Sequence, residues 1–395
     1  MEKTLHLILS WKMAKAIFDL FFRYIPTYLY VLLTQTKKQL WLICERSTDA
    51  RDNGYVLFKW IRENHPEIKV IYAINRKSQD YNNVKDLGTV IEYGSIKHYF
   101  YYFTASICCD TSWNICAPNI FTCLLARNIL PPKSKRVFLQ HGIIKDYMPQ
   151  GKKSKLKADI FVCGAYPEWE YISKNFGYTN GEVKYLGLAR YDRLNNCCNQ
   201  LQILFMPTWR VNLKDNIDFK STKYYKTIIS LLTSKSLNDF LKLNNIEFIY
   251  FIHPAIREYK RYFKHLENTH IKILNNEEYD MQKLICSANL LITDFSSIYF
   301  DFAYLGKPVV YYHFDYSDYR KEHYAEGYFS YEKDGFGPIV TDENMLIDKL
   351  LFFSKNGWMI DDKYLNRSKR FFPLRDTNNC LRHFEALCEL DKQFF

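Results

Sequence analysis

The residues best suited to chemistry in this chain stand at the start of a predicted helix, directly after an apolar run. Residues 290–293 are short and apolar enough to form a buried strand. Asp294, Ser296 and Ser297 follow, and the apolar spacing over 298–305 predicts a helix. The first N–H groups of a helix have no internal partner and attract anions. Because the same residue types also cap ordinary helices, the segment predicts either a phosphate site or a plain capped helix.

Two other predicted strands in this half of the chain, 203–206 and 248–252, also end in polar loops. Their loops carry Pro207, Thr208 and Arg210 after the first strand and His253 after the second. The carboxyl ends of parallel strands share one edge of a sheet, so these side chains are expected near the serine pair. This convergence favours the phosphate site. Asp301, one helical turn beyond Ser297, is placed to accept hydrogen bonds from ligand hydroxyls.

The first half of the chain offers two further strand ends. The segment 45–53 follows a predicted strand at 40–44 and is either a solvated loop or a binding loop; its candidate residues are Glu45, Arg46, Asp49, Arg51 and Asn53. A second predicted strand, 137–139, is followed by Gln140, His141 and Gly142. A histidine there suits proton transfer near neutral pH, and the glycine lets backbone approach a ligand. A structural histidine fits the same position.

Strand, helix and strand alternate along the chain, which is the pattern of parallel sheets covered by helices. The pattern restarts after a polar stretch at 195–200. We therefore expect an α/β protein with domains at 36–195 and 196–395, preceded by a helical segment at 1–35. The sequence lacks GxGxxG after a strand, GxxxxGK(S/T) and HExxH, so a dinucleotide fingerprint, a Walker loop and a bound catalytic metal are not predicted.

The net charge and the cysteine content indicate which partners and which cellular compartment suit the protein. The 395 residues carry a net charge of +11, which suits nucleic acid, an anionic membrane surface or phosphorylated substrates. No basic-aromatic recognition motif supports the first of these. The 11 cysteines include no CxxC pair, so reduced thiols in a cytoplasmic protein are expected.

The N-terminal stretch 5–25 is apolar but is interrupted by four charged residues, Lys12, Lys15, Asp19 and Arg23. These positions fall on one stripe of a helix. Because of the charges and of Pro26, we expect no membrane-spanning helix here. The alternatives are a helix packed on the protein's own core and one lying in a membrane surface, aided by Lys37 and Lys38.

Five motifs in order make the chain resemble the CDP-glycerol glycerophosphotransferase family, whose members act in teichoic acid and capsule synthesis. They are Gln140-His141-Gly142, Gly187-x-x-Arg190-x-Asp192, Pro207-Thr208-Trp209-Arg210, His253-Pro254, and Thr293-Asp294-Phe295-Ser296-Ser297 with Asp301 and Lys307-Pro308. Gln140 stands where the family often has Trp, and Phe295 stands where Tyr is common. These differences bear on the subtype more than on the class.

The resemblance implies a GT-B-like architecture, with two Rossmann-like domains whose parallel sheets face a central cleft, plus the N-terminal amphipathic helix. His141 and His253 would be the two active-site histidines. The implied donor-site residues are Gln140, Gly142, Arg190, Pro207, Thr208, Arg210, Thr293, Asp294, Ser296, Ser297 and Asp301. The acceptor side would use Glu45, Arg46, Asp49, Arg51 and Asn53.

The resemblance also implies a reaction: transfer of glycerol phosphate, or another polyol phosphate, from CDP-glycerol or CDP-ribitol to a hydroxyl of a lipid-linked acceptor. No tightly bound cofactor and no nucleic acid are expected, and the protein would act peripherally at the cytoplasmic face of the membrane. His141 is our choice of base and His253 of phosphate partner, although the sequence allows the reverse. The alternatives are a GT-B glycosyltransferase using a nucleotide sugar and a catalytically silent binding protein.

Overall fold

The computed structural model describes residues 2–36, 38–197, 200–214, 218–275, 279–322 and 325–392. The chain forms two compact units, the first made of 1–142, 149–192 and 376–395, and the second of 143–148 and 193–375. The change of unit at Asp192 lies close to the predicted boundary. Residues 143–148 were expected in the first domain but belong to the second unit. Residues 376–395 were expected in the second domain but belong to the first unit.

The first unit contains a parallel sheet with the strand order β3-β2-β1-β4-β5-β6-β7. Its strands are β1 Lys38–Cys44, β2 Val70–Ile74, β3 Thr89–Glu92, β4 Ala105–Asp110, β5 Lys135–Phe138, β6 Ile160–Cys163 and β7 Val183–Tyr185. The central strands are continuous apolar runs because helices cover both faces of the sheet. On β1, Trp41 and Ile43 belong to one core cluster, while Leu40, Leu42 and Cys44 belong to the other.

The helices of this unit fill the connections between the strands. They are α1 Glu2–Asp19, α2 Ile25–Leu33, α3 Asn53–Asn64, α4 Tyr81–Val84, α5 Ile96–Thr104, α6 Ile120–Ala126, α7 Lys153–Leu156 and α8 Tyr166–Asn175. The sequence predicts helices at 55–63, 96–103 and 167–176, and they correspond to α3, α5 and α8, with ends displaced by at most two residues.

The N-terminal helix does not break at Pro26. A π-helical turn, Leu20–Tyr24, joins α1 to α2, and Pro26 lies in the first turn of α2, where its missing N–H is tolerated. One face packs on the unit: Tyr24 Oη donates to Leu130 O at 2.6 Å, and Thr122 Oγ1 donates to Ala16 O at 2.9 Å. For that face, the alternative of a helix packed on the protein's own core is therefore correct.

By length and composition, the stretch Trp11–Leu33 is apolar enough to cross a membrane. This differs from our expectation of no such helix, because the charges at Lys12 and Lys15 lie near one end and leave a longer apolar window than the sequence count allowed. Lys37, which we expected to aid membrane contact, lies outside the described residues.

The second unit contains a second parallel sheet, with the order β10-β9-β8-β11-β12-β13. Its strands are β8 Gln202–Met206, β9 Glu247–Phe251, β10 Ile271–Leu274, β11 Leu290–Thr293, β12 Val309–Tyr312 and β13 Ile339–Val340. Its helices are α9 Lys223–Thr233, α10 Lys235–Leu243, α11 Met281–Ser287, α12 Tyr299–Tyr304, α13 Tyr316–Glu322, α14 Tyr331–Asp334, α15 Glu343–Lys355 and α16 Asp362–Phe371. The predicted α/β architecture with two parallel sheets is confirmed.

The last helix, α17 Asn379–Lys392, returns to the first unit. The Asp192 carboxylate accepts hydrogen bonds from the backbone N–H groups of Asn379 at 2.9 Å and Cys380 at 2.7 Å. His383 Nε2 donates to Gly187 O at 2.9 Å. Two residues of the Gly187-x-x-Arg190-x-Asp192 motif thus serve to dock this helix.

Candidate functional site

The first cluster of candidate residues lies where β1, β5 and β7 end. His141 follows β5, and its side chain is 64% exposed. Its Nδ1 atom lies 3.6 Å from Asp52 Oδ2, at the start of α3. Arg190, after β7, donates from Nη1 to Asp52 Oδ1 at 3.0 Å and to His141 O at 2.7 Å. The cluster therefore couples one histidine to one carboxylate and one guanidinium.

A buried asparagine holds these loops in register. The Asn53 side chain donates to Gln140 O at 2.9 Å and accepts from Arg190 N at 3.0 Å, and the residue is fully buried. Asn53 thus bonds directly to the residues flanking the cluster. It has no exposed surface for an acceptor, so its predicted acceptor-side role is replaced by a structural one.

Glu45 organises the loop that presents Asp52. Its carboxylate accepts from the backbone N–H groups of Arg51 at 3.0 Å, Asp52 at 3.1 Å and Tyr55 at 2.7 Å. Burial, and then the nearby Asp52 charge, raise the pKa of Glu45 to about 8. A Cβ at Gly54 would lie 3.0 Å from Glu45 Cγ, so the two residues are closely packed. Glu45 therefore lies under the loop and has little surface for a ligand.

Asp52 itself remains ionised. Burial raises its pKa, but the Arg190 guanidinium and the His141 imidazole lower it more, so the pKa lies below its ordinary value. The other candidates of this loop lie outside the cluster. Arg51 pairs with Asp80, donating from Nε at 2.6 Å; Asp49 accepts from Thr48 Oγ1 at 2.8 Å; and Arg46 is exposed.

Gln140 was expected to touch the donor, but its side chain points into the core. The residue is 1% exposed and has a left-handed φ of 61°. Its Nε2 donates to Glu168 Oε1 at 3.1 Å and to Val162 O. The left-handed backbone turns the chain sharply between Leu139 and His141. The backbone of Gln140 therefore shapes the turn, and its side chain, which was expected to touch the donor, is buried.

In the second unit Arg210 is committed to two carboxylates. Its Nη2 donates to Asp294 Oδ2 at 2.7 Å and to Asp315 Oδ1 at 2.6 Å, and the residue is 4% exposed. Burial lowers the pKa of Arg210, but Asp294 and Asp315 raise it more, to above its ordinary value. Nη1 also donates to Thr208 O. The Arg210 guanidinium, which the resemblance assigns to the donor site, thus joins these loops, and its contact with a donor stays a prediction.

The Asp294 carboxylate is likewise occupied by contacts within the protein. It is fully buried, and its Oδ1 accepts from the backbone N–H groups of Thr208 at 2.7 Å and Phe295. His313 Nε2 donates to Asp294 O at 3.2 Å, and burial lowers the pKa of His313 to about 4. Thr293 Oγ1 donates to Met206 O at 2.7 Å. Asp294 and Thr293 thus join the ends of β8 and β11, and neither offers a group to a ligand.

Ser296 and Ser297 are not part of this network, although Ser296 Oγ accepts from Ile298 N at 3.5 Å. Both are half-buried, in the turn before α12, which has Ile298 as its N-cap without a side-chain cap bond. The predicted helix at 298–305 is thus shorter than expected, because the Asp294 carboxylate caps loop N–H groups instead. Thr208 Oγ1 is buried and has no hydrogen-bond partner among the described residues. Asp301 is 3% exposed, which leaves little surface for ligand hydroxyls.

His253 differs from His141 in what its Nδ1 atom does. The His253 Nδ1 accepts from the backbone N–H of Ala255 at 3.1 Å, so the proton of a neutral ring lies on Nε2. The ring is half-buried at the end of β9 and lies 6.1 Å from the Trp209 ring. His253 is therefore built as a hydrogen-bond donor through Nε2.

Sequence reasoning missed three residues of these clusters: Asp52, Glu168 and Asp315. Asp52 sits within the segment 45–53, so its place at a strand end was a usable signal. Asp315 contacts Arg210 across 105 positions of sequence, and Glu168 contacts Gln140 across 28. No local sequence pattern predicts either of these two contacts. Among the described residues, no group of three or more His, Cys, Asp or Glu side chains is arranged to hold a metal ion.

Comparison with known proteins agrees with this picture. The family model described as CDP-glycerol:poly(glycerophosphate) glycerophosphotransferase matches residues 27–388. The minor teichoic acid biosynthesis protein GgaB of Bacillus subtilis strain 168 is 33% identical over 92% of this chain and 41% of its own length. A teichoic acid poly(glycerol phosphate) polymerase of Bacillus spizizenii is 23% identical over 75% of this chain and 79% of its own length. The chain thus spans less than half of GgaB.

Solved structures show the same fold. A structure of the wall teichoic acid polymerase TagF soaked with CDPG has a TM-score of 0.70, at 16% identity over 98% of both chains. A UDP-N-acetylglucosamine 2-epimerase from Listeria monocytogenes has a TM-score of 0.58, at 12% identity over 90% of this chain and 98% of its own. The GT-B-like fold is thereby confirmed. Since the family model covers most of the sequence, the chain belongs to the CDP-glycerol:poly(glycerophosphate) glycerophosphotransferase family.

Proposed function

We propose that the chain transfers glycerol phosphate, or a related polyol phosphate, from a CDP-linked donor to a hydroxyl of a lipid-linked acceptor in teichoic acid or capsule synthesis. The observation that carries this proposal, beside the family match, is the opposite arrangement of the two motif histidines. His141 directs Nδ1 toward a carboxylate at 3.6 Å, whereas His253 accepts a backbone N–H at Nδ1. One ring is arranged as a proton acceptor at Nε2 and the other as a donor.

The reaction needs both roles. The acceptor hydroxyl gives its proton to His141 Nε2 as its oxygen bonds to the β-phosphorus of the donor, and the bond from that phosphorus to the CMP oxygen breaks. Such transfer depends on positioning and charge stabilisation more than on covalent chemistry. His253 Nε2–H donates to a phosphate oxygen. Thr208, Ser296 and Ser297 supply neutral hydroxyl donors, because Arg210 is held by two aspartates.

A panel of donors tests the activity. The protein is incubated with CDP-glycerol, CDP-ribitol and UDP-sugars in separate reactions on a synthetic lipid-linked acceptor. We expect CMP only from the CDP-polyols, and the product mass then identifies the transferred group. Release of UDP from a nucleotide sugar, with no CMP from either polyol donor, would instead establish the glycosyltransferase alternative.

We further propose that the protein works as a peripheral protein at the cytoplasmic membrane face. The face of α1 and α2 that does not pack on the unit is exposed and apolar; it includes Trp11, Phe18, Phe21, Phe22 and Leu33. The neighbouring helix α6 adds Phe121, Leu124 and Leu125. Lys12 and Lys15 are exposed on α1. Apolar side chains with adjacent lysines suit an anionic lipid surface.

Vesicle sedimentation tests this localisation. The Phe21→Glu/Phe22→Glu variant should lose binding to anionic vesicles while the fold is kept, because both side chains are more than half exposed. Leu243→Glu is the matched control, since Leu243 is 85% exposed on α10 in the other unit. Equal sedimentation of all three proteins would contradict the proposal.

A further inference from the structure

We propose that Asp52 is the positioning residue for His141: its carboxylate holds the Nδ1–H tautomer, so that Nε2 is left free to take the acceptor proton. The proposal rests on the proposed function only for the role of Nε2. The contact between Asp52 and His141 stands on the geometry of the first unit alone. Asp52 was not among the residues that the sequence pointed to.

Two contacts place the Asp52 side chain, one to its backbone and one to its carboxylate. The Glu45 carboxylate accepts the Asp52 backbone N–H at 3.1 Å, which sets the loop. Arg190 Nη1 donates to Asp52 Oδ1 at 3.0 Å, which leaves Oδ2 as the oxygen nearer to His141. The Asp52 side chain is 25% exposed, so water competes only in part. The carboxylate is therefore held at Oδ1 by Arg190 and faces the imidazole with Oδ2.

The Asp52 carboxylate offsets a positive charge that lies close to His141. The same Arg190 nitrogen that bonds to Asp52 donates to His141 O at 2.7 Å, so a positive group lies beside the ring. On the other side lies Asp52, whose pKa is lowered, whereas burial raises the pKa of the neighbouring Glu45 to about 8. Without the Asp52 charge, the guanidinium would act on the ring unopposed and disfavour its protonated form. Accepting a proton at Nε2 thus depends on this carboxylate.

The distance of 3.6 Å is longer than an N–H···O hydrogen bond. Because the side chain is exposed, the ring is free to move toward the carboxylate when a substrate fills the site, as catalytic contacts commonly shorten on binding. His65 and Glu67 form another histidine–carboxylate contact in the same unit, at 3.2 Å. That pair lies at the surface at the end of α3 and supplies a matched control.

The test reads the tautomer directly. Nitrogen-15 NMR of the imidazole rings at pH 8, where an ordinary histidine is neutral, is recorded on the full chain without substrate; the His141 signal is assigned by its loss in His141→Gln. We expect the Nδ1–H form in the unsubstituted protein and a shift toward Nε2–H in Asp52→Asn. Glu67→Gln should change the His65 signal and leave His141 unaltered. An Nε2–H form of His141 in the unsubstituted protein overturns the proposal, even if Asp52→Asn does not fold.

Kinetics supply the second readout. Asp52→Asn should lower kcat roughly 10²–10⁴-fold with little change in KM for the donor, and the acid limb of the pH–rate profile should move to lower pH by about one unit. An unchanged tautomer and an unmoved profile would leave Asp52 as a structural residue. If the chain releases no CMP from any donor, the proposed function fails, but the tautomer measurement still decides the contact.

Discussion

His141 and His253 present different ring nitrogens to their surroundings, and this difference separates their roles. His141→Ala should lower turnover roughly 10²–10⁴-fold while donor affinity stays near its original value, because in the proposed mechanism the residue takes a proton and does not hold phosphate. His253→Asn keeps an oxygen that can accept the Ala255 N–H but loses the Nε2–H donor, so donor affinity and turnover should both fall.

Donor affinity by calorimetry and single-turnover rates check this pair of substitutions, with circular dichroism as the folding control. Loss of donor binding in His141→Ala, together with normal binding in His253→Asn, would exchange the two roles. The fold should tolerate both changes, since His141 is exposed and His253 is only half-buried.

Arg210 illustrates a motif residue whose role is structural. Removing its guanidinium leaves Asp294 and Asp315 buried without their partner. We expect Arg210→Met to lower the free energy of unfolding by roughly 3–5 kcal/mol, the usual consequence of breaking a buried ion pair. Urea denaturation measures the change.

A surface pair provides the control for Arg210. Lys174 and Glu170 lie 3.7 Å apart on α8 with both side chains largely exposed, so Lys174→Ala should change stability by less than about 1 kcal/mol. If Arg210→Met instead keeps full stability and loses only donor affinity, then Arg210 contacts the donor as the sequence first indicated.

Lys307, in the last motif, also has a structural role. Its Nζ donates to the carbonyls of Ile285, Cys286 and Ala288 at 2.9, 2.6 and 2.7 Å, at the end of α11. The motifs therefore identify the family but mix groups that face a ligand with groups that hold loops. Only the structure sorts them, since the partners lie far apart in sequence.

At the scale of elements, the sequence predicted the central strands well. Short apolar runs between polar residues are a clear signal. The runs at 70–74, 160–163, 290–293 and 309–312 predict strands, and the structure has strands with those same bounds. The strands β7 and β13 were missed because they have only three and two residues, and β10 was missed because an exposed lysine, Lys272, interrupts its apolar run. The helices α9 and α10 were also missed; they meet at Ser234, which caps the second and interrupts one apolar pattern.

Docking of α17 depends on one glycine of the second motif. Gly187 has a φ of +76°, and a Cβ there would lie 1.8 Å from Asn379 Oδ1. We expect Gly187→Ala to destabilise the first unit by about 2 kcal/mol or more, since backbone strain and a clash add together. Urea denaturation followed by tryptophan fluorescence measures this.

Gly177 is the matched control for that substitution. It has the same φ of +76° but no atom within 4 Å of the added Cβ, so Gly177→Ala should show the backbone strain of about 1 kcal/mol alone. Equal effects of the two substitutions would mean that α17 does not depend on the close approach at Gly187.

At the scale of the whole molecule, the fold class and the family were predictable, and the chain's division was not. The alternation of strands and helices predicted the fold class, and the five ordered motifs predicted the family. The division failed at 376–395 because the bonds that tie α17 to the first unit run from Asp192 to Asn379 and Cys380, across 187 and 188 positions. Contacts of that range leave no periodic trace in a sequence.

Three buried histidines give the molecule a predictable response to acid. Burial lowers the pKa of His98 to about 3 and those of His313 and His383 to about 4. In the unfolded chain each titrates near 6.5, so below that pH the unfolded chain binds more protons. The stabilisation is therefore present above pH 6.5 and is lost as the pH falls toward 4, at up to about 1.4 kcal/mol per pH unit for each ring. The urea midpoint should fall steeply between pH 7 and pH 5, and His383→Gln, which can still donate to Gly187 O, should make that slope shallower by about one proton. A midpoint that stays constant from pH 7 to pH 5 would contradict the burial of these rings as neutral groups.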